Sequence, residues 1–218
     1  FALCSYVAQG RDVNLNINRV ESYRKFCNKL WNACKFALMK LGEGFIPDKD
    51  FVPKGNESSV DKWILNKLNA TVKEVQANLE ITNLMQATSA IHSFWLYDLC
   101  DVYIEAIKPT LSMENDSSTA ARHVLYFCLE QGLRLLHPFM PYVTEELYQR
   151  LPRRPFDSIP SICVAPFPKE KDSLKFLKES EEFGRVFEVV KEIRSVAAEA
   201  KVPKGASLAL HVTAKGEL

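Results

Sequence analysis

Lys25, Lys29, Asn32 and Phe36 recur at spacings of four, three and four, so a helix would set two cations, an amide and an aromatic ring in one line. That combination suits unpaired nucleotides. Lysines meet phosphates, an amide can bond base edges, and a ring offers a stacking face to a splayed-out base. Arg24, Asn28 and Lys35 flank the line, and Arg11 and Arg19 precede it. The bland alternative is a solvated helix face with Phe36 packed on a neighbour.

A second pattern is acidic. Asp98, Asp101 and Glu105 fall at i, i+3 and i+7, which would align three carboxylates and superficially suggests acid/base chemistry or a hard-cation site. On a helix this apolar, the acidic edge reads better as a partner for lysines or arginines of neighbouring helices. The histidines, His92, His123, His137 and His211, are scattered. His137, in Leu136-His137-Pro138-Phe139, is read as a structural group at a helix end, where a cation-capable side chain can meet the last carbonyls. No GxxxxGK, GxGxxG, HExxH or GxSxG occurs, so no catalytic, cofactor or metal residue is assigned.

The elements that must position these groups are helical. Gly is scarce (8) and apolar residues recur at three and four. A first helix is expected from about Asn18 to Leu41, ended by Gly42 and Gly44, with Val20, Tyr23, Cys27, Leu30, Cys34, Leu38 and Leu41 on its apolar stripe. A second follows Ser58-Ser59 as N-cap candidates. A third, capped by Asn83, is apolar almost all round until Pro109 and so belongs in the middle of a bundle. A fourth is expected from about Thr119 to His137, and a short fifth near Pro141, since proline is favourable in a first turn.

Five of the eleven prolines then fall between Pro152 and Pro168, around a β-prone run, Ser161 to Ala165, which marks a boundary. Beyond it Ser180 is read as the cap of a last helix, followed by a turn at Pro203-Lys204-Gly205 and an alternating strand, Ser207 to Thr213. The expected fold is mainly α: an antiparallel helix bundle over 1–151, then a Pro-rich linker and a small strand-helix-strand α/β unit over 152–218.

Composition bounds the possibilities. In 218 residues, 47% are hydrophobic and 25% charged, the profile of an ordinary globular chain, which excludes collagenous and disordered readings. The net charge of +1 argues against wrapping nucleic acid by bulk charge. It hides an asymmetry, because residues 1–40 carry seven bases against Asp12 and Glu21, leaving that stretch at +5 and the rest at −4. Six cysteines (Cys4, Cys27, Cys34, Cys100, Cys128, Cys163) show no CxxC pair, as expected of reduced, mostly buried thiols in a cytosolic protein. No apolar run approaches membrane-spanning length. Phe1-Ala2-Leu3 and Lys215 to Leu218 look like mid-element cuts, so a piece of a longer protein is expected.

Gly10-Arg11-Asp12-Val13-Asn14-Leu15-Asn16, followed by Arg24-Lys25-Phe26-Cys27-Asn28-Lys29-Leu30-Trp31-Asn32-Ala33-Cys34-Lys35-Phe36, resembles the passage from the catalytic half of the valyl-tRNA synthetases into their helical anticodon-binding domain. Phe94 to Glu105 looks like the central helix of that domain. Leu136 to Tyr148 looks like a helix junction shared by the valyl, isoleucyl, leucyl and methionyl relatives, and Arg150 to Arg154 looks like eukaryotic members.

The resemblance implies a parent enzyme that activates valine with ATP and Mg and transfers it to tRNA. The HIGH and KMSKS signatures of that class are absent, so the chain by itself is expected to be noncatalytic and without a cofactor, a tRNA-binding part of a cytoplasmic, monomeric ligase. By resemblance Lys29 and Phe36 match positions that contact the anticodon of the valine tRNA, with Lys25, Asn32, Lys35 and Arg19 as further candidates. The competing readings are the same role in an isoleucyl enzyme and a helical protein-interaction module.

Overall fold

In a computed structural model of the chain, residues 1–6, 16–154 and 158–203 are described, apart from the side chain of Arg19. The expected strand Ser207–Thr213, His211, most of the Gly10–Asn16 motif and the turn beyond Pro203 lie outside them. The helices are α1 (Ile17–Leu41), α2 (Ser59–Glu80), α3 (Leu84–Ser93), α4 (Ile104–Ile107), α5 (Asp116–Leu136), α6 (Pro141–Arg150) and α7 (Leu177–Glu199). A π-helical segment, Phe94–Tyr103, joins α3 to α4. The mainly α expectation holds, and among the described residues there is no strand.

Local chemistry starts and stops most of these helices. The Asn16 side chain accepts from the Asn18 N–H at 2.9 Å to begin α1, and Gly42 ends it at φ 81°, a left-handed conformation that favours glycine. Ser58 and Asp61 form a reciprocal capping box on α2, with the Ser58 N–H donating to Asp61 Oδ2 at 3.0 Å. Asn83 caps α3 and Pro141 opens α6, both as expected.

Three expectations are corrected. Asn115, accepting from the Ser118 N–H at 2.9 Å, starts α5 three residues earlier than the periodicity suggests, because a polar first turn is indistinguishable from a loop in sequence. Likewise α7 begins at Leu177, so Ser180 lies inside it and is no cap. Ser161 to Ala165 is no strand: Ile162–Val164 is a 3-10 turn, held by the Ser161 side chain accepting from the Cys163 N–H at 3.1 Å.

The core lies where α2, α5 and the π segment meet, with Ile64, Leu65, Leu99 and Leu125 fully enclosed. Trp95 of the π segment donates its indole N–H to the Gly132 carbonyl at 3.1 Å. A Cβ on Gly132 would lie 3.0 Å from the indole, tighter than ordinary contact, so a larger residue here would push the ring aside. Eight residues on, the Tyr103 hydroxyl donates to Asp61 of α2 at 2.6 Å. The sequence predicts one continuous α-helix here. Two buried anchors, one on α5 and one on α2, hold the wider winding, in which the Ile104 N–H reaches back five residues to the Leu99 carbonyl.

The chain divides into two compact units, Phe1–Ser180 and Glu181–Leu218. Residues 152–180 therefore go with the bundle. Their polar backbone is caught by side chains of α2: the Lys171 N–H donates to Asn69 at 2.8 Å, the Phe176 N–H to Asn66 at 3.2 Å, and Gln76 donates to the Pro168 carbonyl at 3.1 Å. Tyr126 of α5 bonds the Pro152 carbonyl at 2.9 Å, and Arg154 pairs with Glu130. Proline texture marks extended backbone here, and extended backbone can still be strapped to a helical surface.

Candidate nucleic-acid interface

α1 turns Phe26, Leu30, Ala33, Cys34, Ala37 and Leu41 into the core, a set that shares only Leu30, Cys34 and Leu41 with the expected stripe; Tyr23, Cys27 and Leu38 are half-buried and Val20 at its start is exposed. The opposite side carries the line expected from spacing. Lys25, Asn32 and Lys35 are exposed, as are the flanking Arg24 and Asn28, while Lys29 and Phe36 are half-buried. At a rise of 1.5 Å per residue the line from Lys25 to Phe36 runs for ~16 Å. Arg19 lies in the first turn of α1, its side chain outside the described residues, and Arg11 lies outside them altogether.

The basic line and the acidic edge, which the sequence presents separately, meet on this surface. Lys29 Nζ donates to Asp101 Oδ1 at 2.9 Å, and both side chains keep nearly half of their surface in solvent. That hydrogen bond holds the Lys29 ammonium above its ordinary value, against the opposing effect of burial. Lys108 Nζ lies 5.8 Å from the centre of the Phe36 ring and bonds both carboxylate oxygens of Glu105, at 2.6 and 2.7 Å.

Asp98 parts from the other two carboxylates. Burial raises its carboxyl, and the nearby charge of Lys67 on α2 opposes that rise. The supposed row of three acids thus goes to three different partners. Among the described residues no cluster of three or more His, Cys, Asp or Glu side chains could hold a metal.

Lys25, Lys35 and the flanking Arg24 are exposed cations that form no ion pair among the described residues. Lys29 is held by Asp101, so any other partner of its ammonium would have to displace that carboxylate. Such an exposed pair is worth ~0–1 kcal/mol, less than the ~1–3 kcal/mol that one base stacked on a ring contributes.

Three contributors escaped the sequence reading. Asp101 as the partner of Lys29 and Lys108 as the cover of Phe36 lie 72 residues away in each case, and no local pattern announces such pairs. Trp31, 39% exposed, lies under the Arg150 guanidinium at 5.1 Å; the signal available was its place within the Asn28–Asn32 run. None of the expected residues lines the cleft of about 560 Å³ walled by Phe51, Phe127, Arg134, Arg154 and Lys171, so the candidate surface is an open helix face.

The family model described as "Anticodon-binding domain of tRNA ligase" matches residues 61–213. The chain is 49% identical over 212 residues to a valine–tRNA ligase of Schizosaccharomyces pombe, covering 97% of this chain and 22% of that protein. It is 51% identical over 173 residues to the human valine–tRNA ligase, covering 79% and 14% respectively. A mitochondrial valine–tRNA ligase of Saccharomyces cerevisiae is 44% identical over 206 residues, covering 94% and 18%. In fold, the chain resembles LeuRS in its ternary complex with tRNA and LeuAMS from Agrobacterium radiobacter, at a TM-score of 0.56 and 18% identity over 80% of this chain and 19% of that one. The chain spans about a fifth or less of the curated relatives it matches, between 14% and 22% of their lengths.

Proposed function

The chain belongs to the anticodon-binding domains of tRNA ligases, and from that premise we propose that it presents α1 to the anticodon loop of a valine tRNA. The observation that carries this reading is the line of Lys25, Lys29, Asn32 and Phe36 along the solvent side of α1, with the unpaired cations Arg24, Lys25 and Lys35 beside a half-buried ring. In this reading Phe36 stacks on an unpaired base and Lys29 leaves Asp101 to bond one. Lys25, Lys35 and Arg19 hold loop phosphates, and Asn32 bonds a base edge. Recognition here positions the distant acceptor end for the ATP- and Mg-dependent attachment of valine elsewhere in the parent ligase, a monomer. Higher identity to the relatives without a mitochondrial label, 49% and 51% against 44%, supports a cytoplasmic protein.

The test is binding to anticodon stem-loops of valine and isoleucine tRNAs at fixed salt. The valine stem-loop should bind tighter, and Lys29→Ala should remove most of the difference. Binding should also fall steeply as salt rises, because phosphate contacts release counterions. Equal, salt-only binding to both stem-loops would defeat the specific-reader proposal. Preference for the isoleucine stem-loop would move the assignment to that relative.

A further inference from the structure

The six cysteines meet very different fates. Burial pushes the Cys34 and Cys100 thiols up to about 12, and it also raises Cys128, fully enclosed in α5, well above its ordinary value. Such thiols are inert. Cys4 and Cys27 are half-buried, and Cys163 alone is exposed.

Cys163 also has a base beside it. Its Sγ lies 3.2 Å from Nε2 of His137, which caps the C-terminus of α5. The other ring nitrogen, Nδ1, lies 2.7 Å from Oγ1 of Thr144, a residue with no exposed surface. Thr144 has one hydroxyl hydrogen, and it points to backbone carbonyls, Met140 O at 2.8 Å and Pro141 O at 3.1 Å. With its hydrogen on one of those carbonyls the hydroxyl accepts from His137, the arrangement that places the imidazole proton on Nδ1 and aims the Nε2 lone pair at the Cys163 thiol.

The thiol is positioned too. The Cys163 N–H donates to Ser161 Oγ, and the Glu145 carboxylate fixes the turn by accepting from Ser161 Oγ at 2.7 Å and from the Ile162 N–H at 3.1 Å. A nucleophile within hydrogen-bond reach of a base, with the base oriented by a third group, is the arrangement that activates a thiol. None of these residues belongs to the α1 face.

We propose that Cys163 is a reactive thiol, with His137 as its base and Thr144 as the residue that orients that base, and that it takes up low-molecular-weight disulfides as a modification site. The Cys163 Sγ proton passes to His137 Nε2. The thiolate attacks one sulfur of the soluble disulfide, a new Sγ–S bond forms as the reagent's S–S bond breaks, and the departing thiolate takes the proton back from the imidazolium. Cys163 is thereby oxidised to a mixed disulfide, and half of the reagent is reduced to a thiol.

The test uses the full chain and glutathione disulfide at neutral pH, with adduct formation at each cysteine followed by peptide mass spectrometry. A synthetic peptide of residues 158–168 serves as a fully accessible thiol without the histidine. Cys163 in the folded chain should react about tenfold faster than the same cysteine in the peptide, a gain that exposure alone cannot produce. His137→Gln should bring the rate down to that of the peptide. Thr144→Ser, which keeps the hydroxyl, should preserve the fast reaction. A folded-chain rate at or below that of the peptide overturns the proposal, as does an unchanged rate in a His137→Gln chain that still melts cooperatively. If His137→Gln does not fold, the comparison of wild type with the peptide decides alone.

Discussion

Glu130 in the core and Asp101 at the surface both accept from basic side chains, and the two regions they anchor behave oppositely. Glu130 is 1% exposed and takes Arg134 from its own helix and Arg154 from the proline-rich segment, so three charges share one nearly dry site. Asp101 is 46% exposed and holds Lys29 in water. In the first region any lost partner strands a buried charge, whereas in the second water replaces the partner at little cost. The interior polar groups hold the bundle together, and the α1 face can give up its contacts to a ligand because they are weak.

Glu130→Ala attacks the contrast at its strongest point. Leaving Arg134 and Arg154 buried without their carboxylate should destabilise the fold by ~3–5 kcal/mol. The urea midpoint should fall accordingly, and a loss below ~1 kcal/mol would equate the two regions.

Gly132→Ala comes next. Its Cβ would press on the Trp95 indole, which is held by a hydrogen bond to the same residue's carbonyl, and overpacking of that kind costs ~1–3 kcal/mol. Because the anchor also supports the π segment, near-UV circular dichroism should register the tryptophan's displacement.

On the other region, Phe36→Ala should cost the fold less than Glu130→Ala, because the ring is only half-buried, while weakening stem-loop binding by ~1–3 kcal/mol. Full retained affinity in fluorescence anisotropy would remove Phe36 from the interface. Asp101→Asn should shift stability by no more than ~1 kcal/mol, and with Lys29 released it should strengthen stem-loop binding rather than weaken it.

The smallest effect is titration. Burial lowers the imidazoles of His92, packed against Phe26 with ring centres 4.7 Å apart, and His123, where Asp48 opposes the shift. A depressed folded value means that the unfolded chain binds the proton first. This contribution is complete above the ordinary histidine value of about 6.5 and is lost as pH falls through the depressed values. His92→Phe should flatten part of the decline in denaturation midpoint between about pH 7 and pH 5. An identical pH profile in the variant would show that His92 contributes nothing to it.

Much of the bundle was legible because its signals are local. The caps at Ser58 and Asn83, the stop at Gly42 and the proline opening α6 are decided within a few residues of where they act. Asn115 went unread, since capping geometry depends on a backbone turn that residue identity alone leaves undetermined. Ser161 to Ala165 looked like a strand by propensity, but strands need partners, and the Glu145 carboxylate held those residues in a turn instead.

Periodicity by itself determined that these segments are helical, though not where each starts or how it winds, and set the line of cations, amide and ring on α1, because 3.6-residue spacing converts directly into a shared face. Tertiary structure alone decided that Lys29 would meet Asp101, that Trp95 would dock on Gly132 across a π winding, and that His137 would stand over Cys163. Those partners are 72, 37 and 26 residues apart, and contacts at such separations follow from how apolar faces pack, which no local pattern encodes.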